Sequence, residues 1–140
     1  MKPSTGRIPR DNWPEWFEQA TSHFGSWKMT IEVFRDDLGD QVVAAEVPLR
    51  MLTFEAKGSK EEAFLIDGLD WHSNVLQHRI DEPRNVWVRE TRPGAESAIL
   101  IESGDKTVTL VMLRRPMALR CWAMMPCERS GVSKRSRLGM

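Results

Sequence analysis

The fold follows most directly from residues 97–113, which read Ser97-Ala98-Ile99-Leu100-Ile101-Glu102-Ser103-Gly104-Asp105-Lys106-Thr107-Val108-Thr109-Leu110-Val111-Met112-Leu113. Residues 97–102 and 106–113 are rich in aliphatic and β-branched residues, and the turn residues 103–105 separate them. Residues 86–90 precede them across Thr91-Arg92-Pro93-Gly94. The three segments predict an antiparallel meander.

Both faces of this meander are apolar. An open antiparallel sheet with one wet face alternates apolar and polar residues. Ile99-Leu100-Ile101 and the run from Leu110 to Leu113 break that alternation. We therefore expect both faces to be covered, one by a helix and the other by curling of the sheet. Closing or nearly closing the sheet would also hide its unpaired edges.

An amphipathic helix precedes the strands. Its apolar residues recur at the spacing of one helical stripe: Trp13, Trp16, Phe17, Ala20 and Phe24. Asp11 is a good N-cap, Pro14 falls in the first turn, where its missing N–H costs nothing, and Gly25 follows as a stop signal. The spacing predicts a helix from about residue 12 to residue 24.

Further strand segments lie between the helix and the meander. They cover residues 27–33, 41–47, 51–56, 63–66 and 75–80. Pro48 is expected to end the second of them, because proline cannot donate a ladder hydrogen bond. The fold prediction is α+β, with an N-terminal amphipathic helix packed on a strongly curved antiparallel β-sheet or small β-barrel of six to seven strands.

Length and charge limit the organisation of the chain. Its 140 residues have room for one domain. We expect an extended N-terminal arm over residues 1–10, a single globular α+β domain over 11–115, and a basic, disordered C-terminal tail over 116–140. Lys plus Arg and Asp plus Glu both total 20, so net charge gives no argument for a nucleic-acid or anionic-membrane partner.

The sequence also bears on location and redox state. No apolar run reaches the roughly 20 residues of a membrane span, and the start lacks a secretory signal, so a cytoplasmic protein is expected. Cys121 and Cys127 are the only cysteines. Two thiols are too few for a closed zinc site, and their spacing is not the redox Cys-x-x-Cys arrangement. The sequence leaves their role open.

Several short motifs succeed one another along the chain in a fixed order: Ile8-Pro9-Arg10, the tryptophan-bearing helix, Gly25-x-Trp27, Asp37-Leu38-Gly39-Asp40-Gln41, Pro48-Leu49 and His78-x-Ile80 followed by Pro83 and Val86. In this order the chain resembles a family of small uncharacterised bacterial proteins, known only as a domain of unknown function. The resemblance covers residues 8 to about 115 and implies no activity. The tail from Met117 departs from the family pattern.

The candidate catalytic residues lie close together in sequence: Asp67, Asp70, His72, His78 and Asp81. Carboxylates and imidazoles are the usual ligands and acid–base groups of a hydrolytic metal site. On an extended strand, His72 and His78 would lie about 20 Å apart, so they could share a metal only across a bend. Alternatively, His78 is a hydrogen-bonded histidine at the edge of the core, and His72 and the aspartates are loop residues.

Nucleic-acid binding is a further hypothesis. Trp87 and Arg89 on one strand face could form a binding surface on which bases stack, and the basic run from Ser133 to Arg137 could neutralise phosphates. The acidic remainder of the chain opposes such binding. No Walker loop, Gly-x-Gly-x-x-Gly or Gly-x-Ser-x-Gly motif occurs, which disfavours nucleotide hydrolysis, and no cofactor is predicted.

These observations favour a non-enzymatic binding or scaffold module. Its partner would be a protein or a small-molecule ligand, held in a barrel mouth or along an exposed strand. A metal-assisted hydrolase that uses His72, His78 and nearby aspartates is the alternative. Single-stranded nucleic-acid binding through the basic tail is the third hypothesis. The sequence does not indicate the oligomeric state.

Overall fold

A computed structural model describes residues 6–57, 61–70 and 72–116. Its elements follow in this order: β1 (Gly6–Arg7), a 3-10 turn (Arg10–Asn12), α1 (Trp13–Phe24), β2 (Lys28–Arg35), β3 (Gly39–Lys57), β4 (Glu61–Leu69), β5 (Val75–Asp81), β6 (Pro83–Arg92), β7 (Glu96–Ser103) and β8 (Val108–Arg114). The strands form one antiparallel sheet in the order β1-β6-β7-β8-β2-β3-β4-β5. Apart from Pro116, the predicted tail lies outside the described residues.

The predicted fold class is wrong. The protein is mostly β: eight strands hold 65% of the structure, helical segments cover only 15 residues, and the sheet is not closed. β1 and β5 form its two edges. The count of six to seven strands missed β1, because a two-residue strand has no alternation to detect. The meander of β6, β7 and β8 is confirmed.

β3 explains why the sheet bends and stays open. Its first half pairs with β2 and ends at Pro48, which lies opposite Lys28, and its second half pairs with β4 from Leu49 onward. Pro48 does not end the strand as predicted. It lies where β3 changes its pairing partner from β2 to β4, so no ladder hydrogen bond requires an N–H at this position. Register shifts between β2 and β3 mark β-bulges, and bulges bend a strand.

The predicted helix is confirmed at Trp13–Phe24, and all five residues of its apolar stripe are buried. They share one core with the inner faces of the strands. Phe64 of β4 lies at the centre of this contact. Its ring is 5.0 Å from the ring of Trp13 and 4.2 Å from that of Phe17, measured between centroids.

The helix also covers an edge of β3. The Thr21 hydroxyl accepts a hydrogen bond from the N–H of Leu52 at 3.0 Å, and its one proton is shared between the carbonyls of Leu52 and Phe17, each at 3.0 Å. The backbone groups of Leu52 lie on the side of β3 opposite β4, where no described strand pairs with this half of β3. α1 therefore satisfies polar groups that would otherwise form an open edge.

Part of the predicted N-terminal arm lies along β6. Gly6 pairs with Val88 and Arg7 with Trp87. Ile8 is buried, and the indole N–H of Trp13 donates to its carbonyl at 3.1 Å. The division into arm, domain and tail stays a prediction.

The sequence predicts that both faces of the meander are covered. Among the described residues, only the inner face is covered. α1 and the curled sheet bury Ile99, Ile101, Val111 and Leu113 on that face. On the opposite face, apolar side chains such as Leu100, Leu110 and Met112 are only half-buried.

Candidate ligand cleft between β3 and β5

A cleft of about 170 Å³ lies where the curled sheet stays open, between the first half of β3 and β5. Both strands present an edge that is unpaired among the described strands, since β5 pairs only with β4 and residues 39–48 of β3 pair only with β2. The cleft is lined by Met29, Ile31, Val43, Ala44, Ile66, Leu76, Gln77 and His78.

The pairing register of β4 and β5 determines which side chains form one wall of the cleft. Gly68 lies opposite Leu76, and Ile66 lies opposite His78. Because Ile66 is buried at 1% exposure, the side chains of Leu76 and His78 also belong to the inner face. Without a further strand to cover it, Leu76 keeps 37% of its surface exposed.

Val43 forms the opposite wall. Ile31 and Glu32 are consecutive residues of β2, but their partners on β3 are Ala44 and Val42, so Val43 is the extra residue of a β-bulge. A bulge re-aims the side chain that it carries, and Val43 lines the cleft with 45% of its surface exposed.

Gly68 allows the floor of the cleft to form. A Cβ atom at this position would lie 2.7 Å from the Cε of Met29 and 3.1 Å from the carbonyl oxygen of Pro48. Because glycine has no side chain, Met29 can reach from β2 across to β4. The buried side chains of Met29 and Ile66 close the cleft from below.

His78 is the one titratable group in the cleft. Desolvation by burial lowers the pKa of its imidazole below the ordinary value of 6.5, so the ring is neutral at pH 7. The residue lies at the edge of the core, as one of the two sequence hypotheses proposed. However, no described residue forms a hydrogen bond with the ring, so its donor and acceptor nitrogens are left for solvent or a ligand.

None of the other candidate catalytic residues lines the cleft. Asp70 accepts hydrogen bonds at 2.8 Å from the backbone N–H groups of Asn74 and His72 and thereby holds the turn between β4 and β5. The bond from Asn74 is the main cause that lowers the pKa of Asp70. His72 is exposed in this turn.

Asp67 and Asp81 already have partners. The side-chain amide of Gln77 donates to Asp67 at 3.0 Å, and Arg79 contacts Asp81 at 2.7 Å. Within residues 6–57, 61–70 and 72–116, no group of three His, Cys, Asp or Glu side chains is placed to hold a metal ion. The catalytic and metal-binding roles of these residues stay predictions.

Trp87 and Arg89 lie on the outer face of β6, since their neighbours Val86 and Val88 are buried on the inner face. Trp87 is half-buried and Arg89 is exposed. The nucleic-acid surface proposed for them also stays a prediction.

A second, polar cavity of about 400 Å³ lies near the ends of β6 and β7. Arg84 and Lys106 line it together with Glu102. The charges of opposite sign weaken any preference for an anion or a cation.

Sequence reasoning identified His78 but missed Met29, Val43 and Ala44. Their part in the cleft depends on a bulge and on contacts between distant strands. The local signal at Val43 is its position in Val42-Val43, where two adjacent apolar residues must face opposite sides of a strand.

The fold and the cleft define a small, mostly β domain built on one open antiparallel sheet. The chain belongs to a family of unknown function (DUF5335), which matches residues 4–121. The resemblance inferred from the sequence is therefore confirmed.

An uncharacterised protein of the bacterium Aquifex aeolicus (strain VF5) is 26% identical over 111 residues, which cover 79% of this chain and 91% of that protein. No solved structure matches the chain. In the described part of the protein, no helix combines the length and apolar character of a membrane span.

Proposed function

We propose that the protein is a non-enzymatic binding module that takes up an extended apolar peptide as an additional strand along β5. The observation that carries this proposal is the position of the cleft directly beside an unpaired strand edge. The edge offers backbone hydrogen bonds, and the cleft offers an apolar site for one side chain.

The size of the cleft favours a peptide side chain over a larger small molecule. Pockets for drug-sized ligands enclose about 300–1,000 Å³, whereas an apolar cavity of about 150 Å³ holds a single benzene ring. The cleft measures about 170 Å³. It therefore matches one leucine-sized or phenylalanine-sized side chain.

The two edges of the sheet differ in their protection. β1 has only two residues, and such short edge strands discourage pairing with another chain. β5 has seven residues and contains no proline; it begins with the exposed Val75 and Leu76, and its charged residues Arg79 and Asp81 pair with each other at the far end of the strand. These features make β5 the edge that is suited to β-strand addition.

The geometry of an added strand connects the edge to the cleft. It would run about 4.8 Å from β5, and every second side chain would point to the inner face. One such side chain would pack against Leu76 and Val43. The neutral imidazole of His78 would supply one donor and one acceptor to polar groups of the same peptide.

The other hypotheses from the sequence are independent of this proposal. A metal-assisted hydrolase using His72 and His78, single-stranded nucleic-acid binding through residues 116–140, and a cytoplasmic location stay predictions. The peptide proposal rests on the described residues of β2, β3, β4 and β5.

The test begins with a display library of random seven-residue peptides selected on the full-length protein. The Kd of an enriched synthetic peptide is then measured by fluorescence anisotropy. We expect Leu76→Asp to weaken binding at least tenfold, because it places a charge in the apolar cleft, a loss of about 1.4 kcal/mol. Val75→Asp is the matched control, since Val75 is the adjacent residue on the opposite face of β5.

A second arm tests the backbone contact. N-methylation at alternate residues of the enriched peptide removes hydrogen-bond donors, and we expect one of the two alternating sets to abolish binding. The proposal fails if no peptide is enriched, if Leu76→Asp and Val75→Asp weaken binding equally while both variants stay folded, or if N-methylation has no effect in either set.

A further inference from the structure

The outer face of the sheet carries a continuous row of paired side chains across six strands. Successive register partners place the following residues side by side on this face: Arg7, Trp87, Leu100, Leu110, Glu32 and Val42. The centre of the row is therefore apolar, and a cation and an anion lie toward its opposite ends.

Neighbouring rows widen the apolar centre. Ala98 lies opposite Met112 on one side, and Val108 lies opposite Phe34 on the other. These side chains are half-buried by one another on the sheet surface. The one described helix packs into the core on the inner face, so it does not cover them.

The charged side chains of these three rows are Arg7, Arg89, Glu102, Glu32 and Asp40; Glu102 lies on β7 near the centre, and the charges farther out differ in sign between the two sides. Arg7 and Arg89 lie at the β1–β6 side. Glu32 and Asp40 lie at the β2–β3 side. Among the described residues, none of these four forms an ion pair, whereas Glu46 nearby is paired with Arg114.

We propose that the outer face is the interface of a symmetric homodimer. A two-fold axis parallel to the strands, between β7 and β8, would stack Leu100 of one copy on Leu110 of the other. The same axis would lay β1 and β6 of one copy over β3 and β2 of the other. The arginines of each copy then face the acidic side chains of its mate, as a self-complementary surface requires.

The dimensions of the face predict the strength of the dimer. Six strands, each about 4.8 Å wide, and three rows of side chains, each about 6.6 Å wide, cover roughly 29 Å by 20 Å, or about 600 Å² per copy. Standard specific interfaces bury about 800 Å² per partner. The dimer is therefore at the small end of specific complexes, and we expect it to dissociate in the micromolar range.

The test is sedimentation velocity on the full-length protein across the micromolar concentration range. We expect the sedimentation coefficient to rise from monomer to dimer with concentration. Leu110→Glu, at the centre of the face, should abolish association while circular dichroism shows that the sheet is retained. Arg50→Glu is the control, because Arg50 is an exposed arginine on the half of β3 that lies outside this face.

Charge reversal tests the symmetry directly. We expect Arg89→Glu and Glu32→Arg each to weaken dimerisation at least tenfold, and the double variant to recover most of the loss. A monomer at all concentrations would overturn the proposal. So would a full-length monomer that dimerises only after residues 117–140 are removed, because that segment would then be the occupant of the face. Peptide binding at β5 is measured independently and does not decide this outcome.

Discussion

Replacing Phe64 by alanine tests whether α1 and the sheet share one core. Phe64 is fully buried, and its ring contacts those of Trp13, Phe17 and Phe54 at 5.0, 4.2 and 5.4 Å. A buried Phe→Ala substitution costs about 3–5 kcal/mol, and aromatic pairs add about 0.5–1.5 kcal/mol each. Three ring contacts place the expected loss near the top of that range, at about 4–5 kcal/mol.

The assay is equilibrium unfolding in urea, followed by tryptophan fluorescence and circular dichroism. With an m-value of about 2 kcal/mol per molar urea, the midpoint should fall by about 2 M. Phe54→Ala is the matched control, because Phe54 lies opposite Phe64 on β3 but is only half-buried. We expect it to cost about half as much. Equal losses for the two variants, or a loss below about 2 kcal/mol for Phe64→Ala, would refute the shared core.

Two further substitutions probe single contacts. Thr21→Val keeps the shape of the side chain but leaves the backbone groups of Leu52 without their partner. We expect the free energy of unfolding in urea to fall by about 1–3 kcal/mol. Hydrogen exchange at the Leu52 amide should become faster. Unchanged exchange at that amide would show that the helix does not cover the edge of β3. Burial lowers the pKa of His78, so below the ordinary pKa of 6.5 the unfolded chain binds more protons than the folded protein. The free energy of unfolding should therefore fall as the pH drops below that value. His78→Gln should remove the contribution of this histidine to the fall. Parallel pH profiles for the two proteins would exclude this contribution.

Local patterns in the sequence were sufficient to predict the regular elements. The stripe of Trp13, Trp16, Phe17, Ala20 and Phe24 has the helical period, so α1 was found within about a residue of its ends. The meander segments carry β-branched residues between clear turn residues. In both cases the signal lies within one element, where periodicity is informative.

The errors arose where the outcome depends on contacts between distant segments. Pro48 is a local strand breaker, but in β3 it falls at the exchange between two neighbouring strands, which the sequence does not reveal. Closure of a sheet requires its two edge strands to pair, and here, among the described residues, β1 and β5 do not pair with each other. Apolar residues on both faces of the meander suggested closure, yet Leu100 and Leu110 lie on a face that no described element covers.

The cleft was only partly predictable for the same reason. Leu76, His78 and Ile80 share one face of β5, which follows from the alternation of side chains along the predicted strand 75–80. Val43 reaches the cleft only because it is the extra residue of a bulge, and Met29 only because Gly68 leaves space. Such placements need the register of three strands at once.

Chemical-shift mapping of an enriched peptide onto the isotopically labelled protein tests the central claim most directly. The account predicts that the largest changes occur at the methyl groups of Val43 and Leu76 and at the imidazole of His78, with slowed hydrogen exchange along β5. Changes centred on the outward side chains of β6, β7 and β8, with Val43 and Leu76 unaffected, would contradict the account.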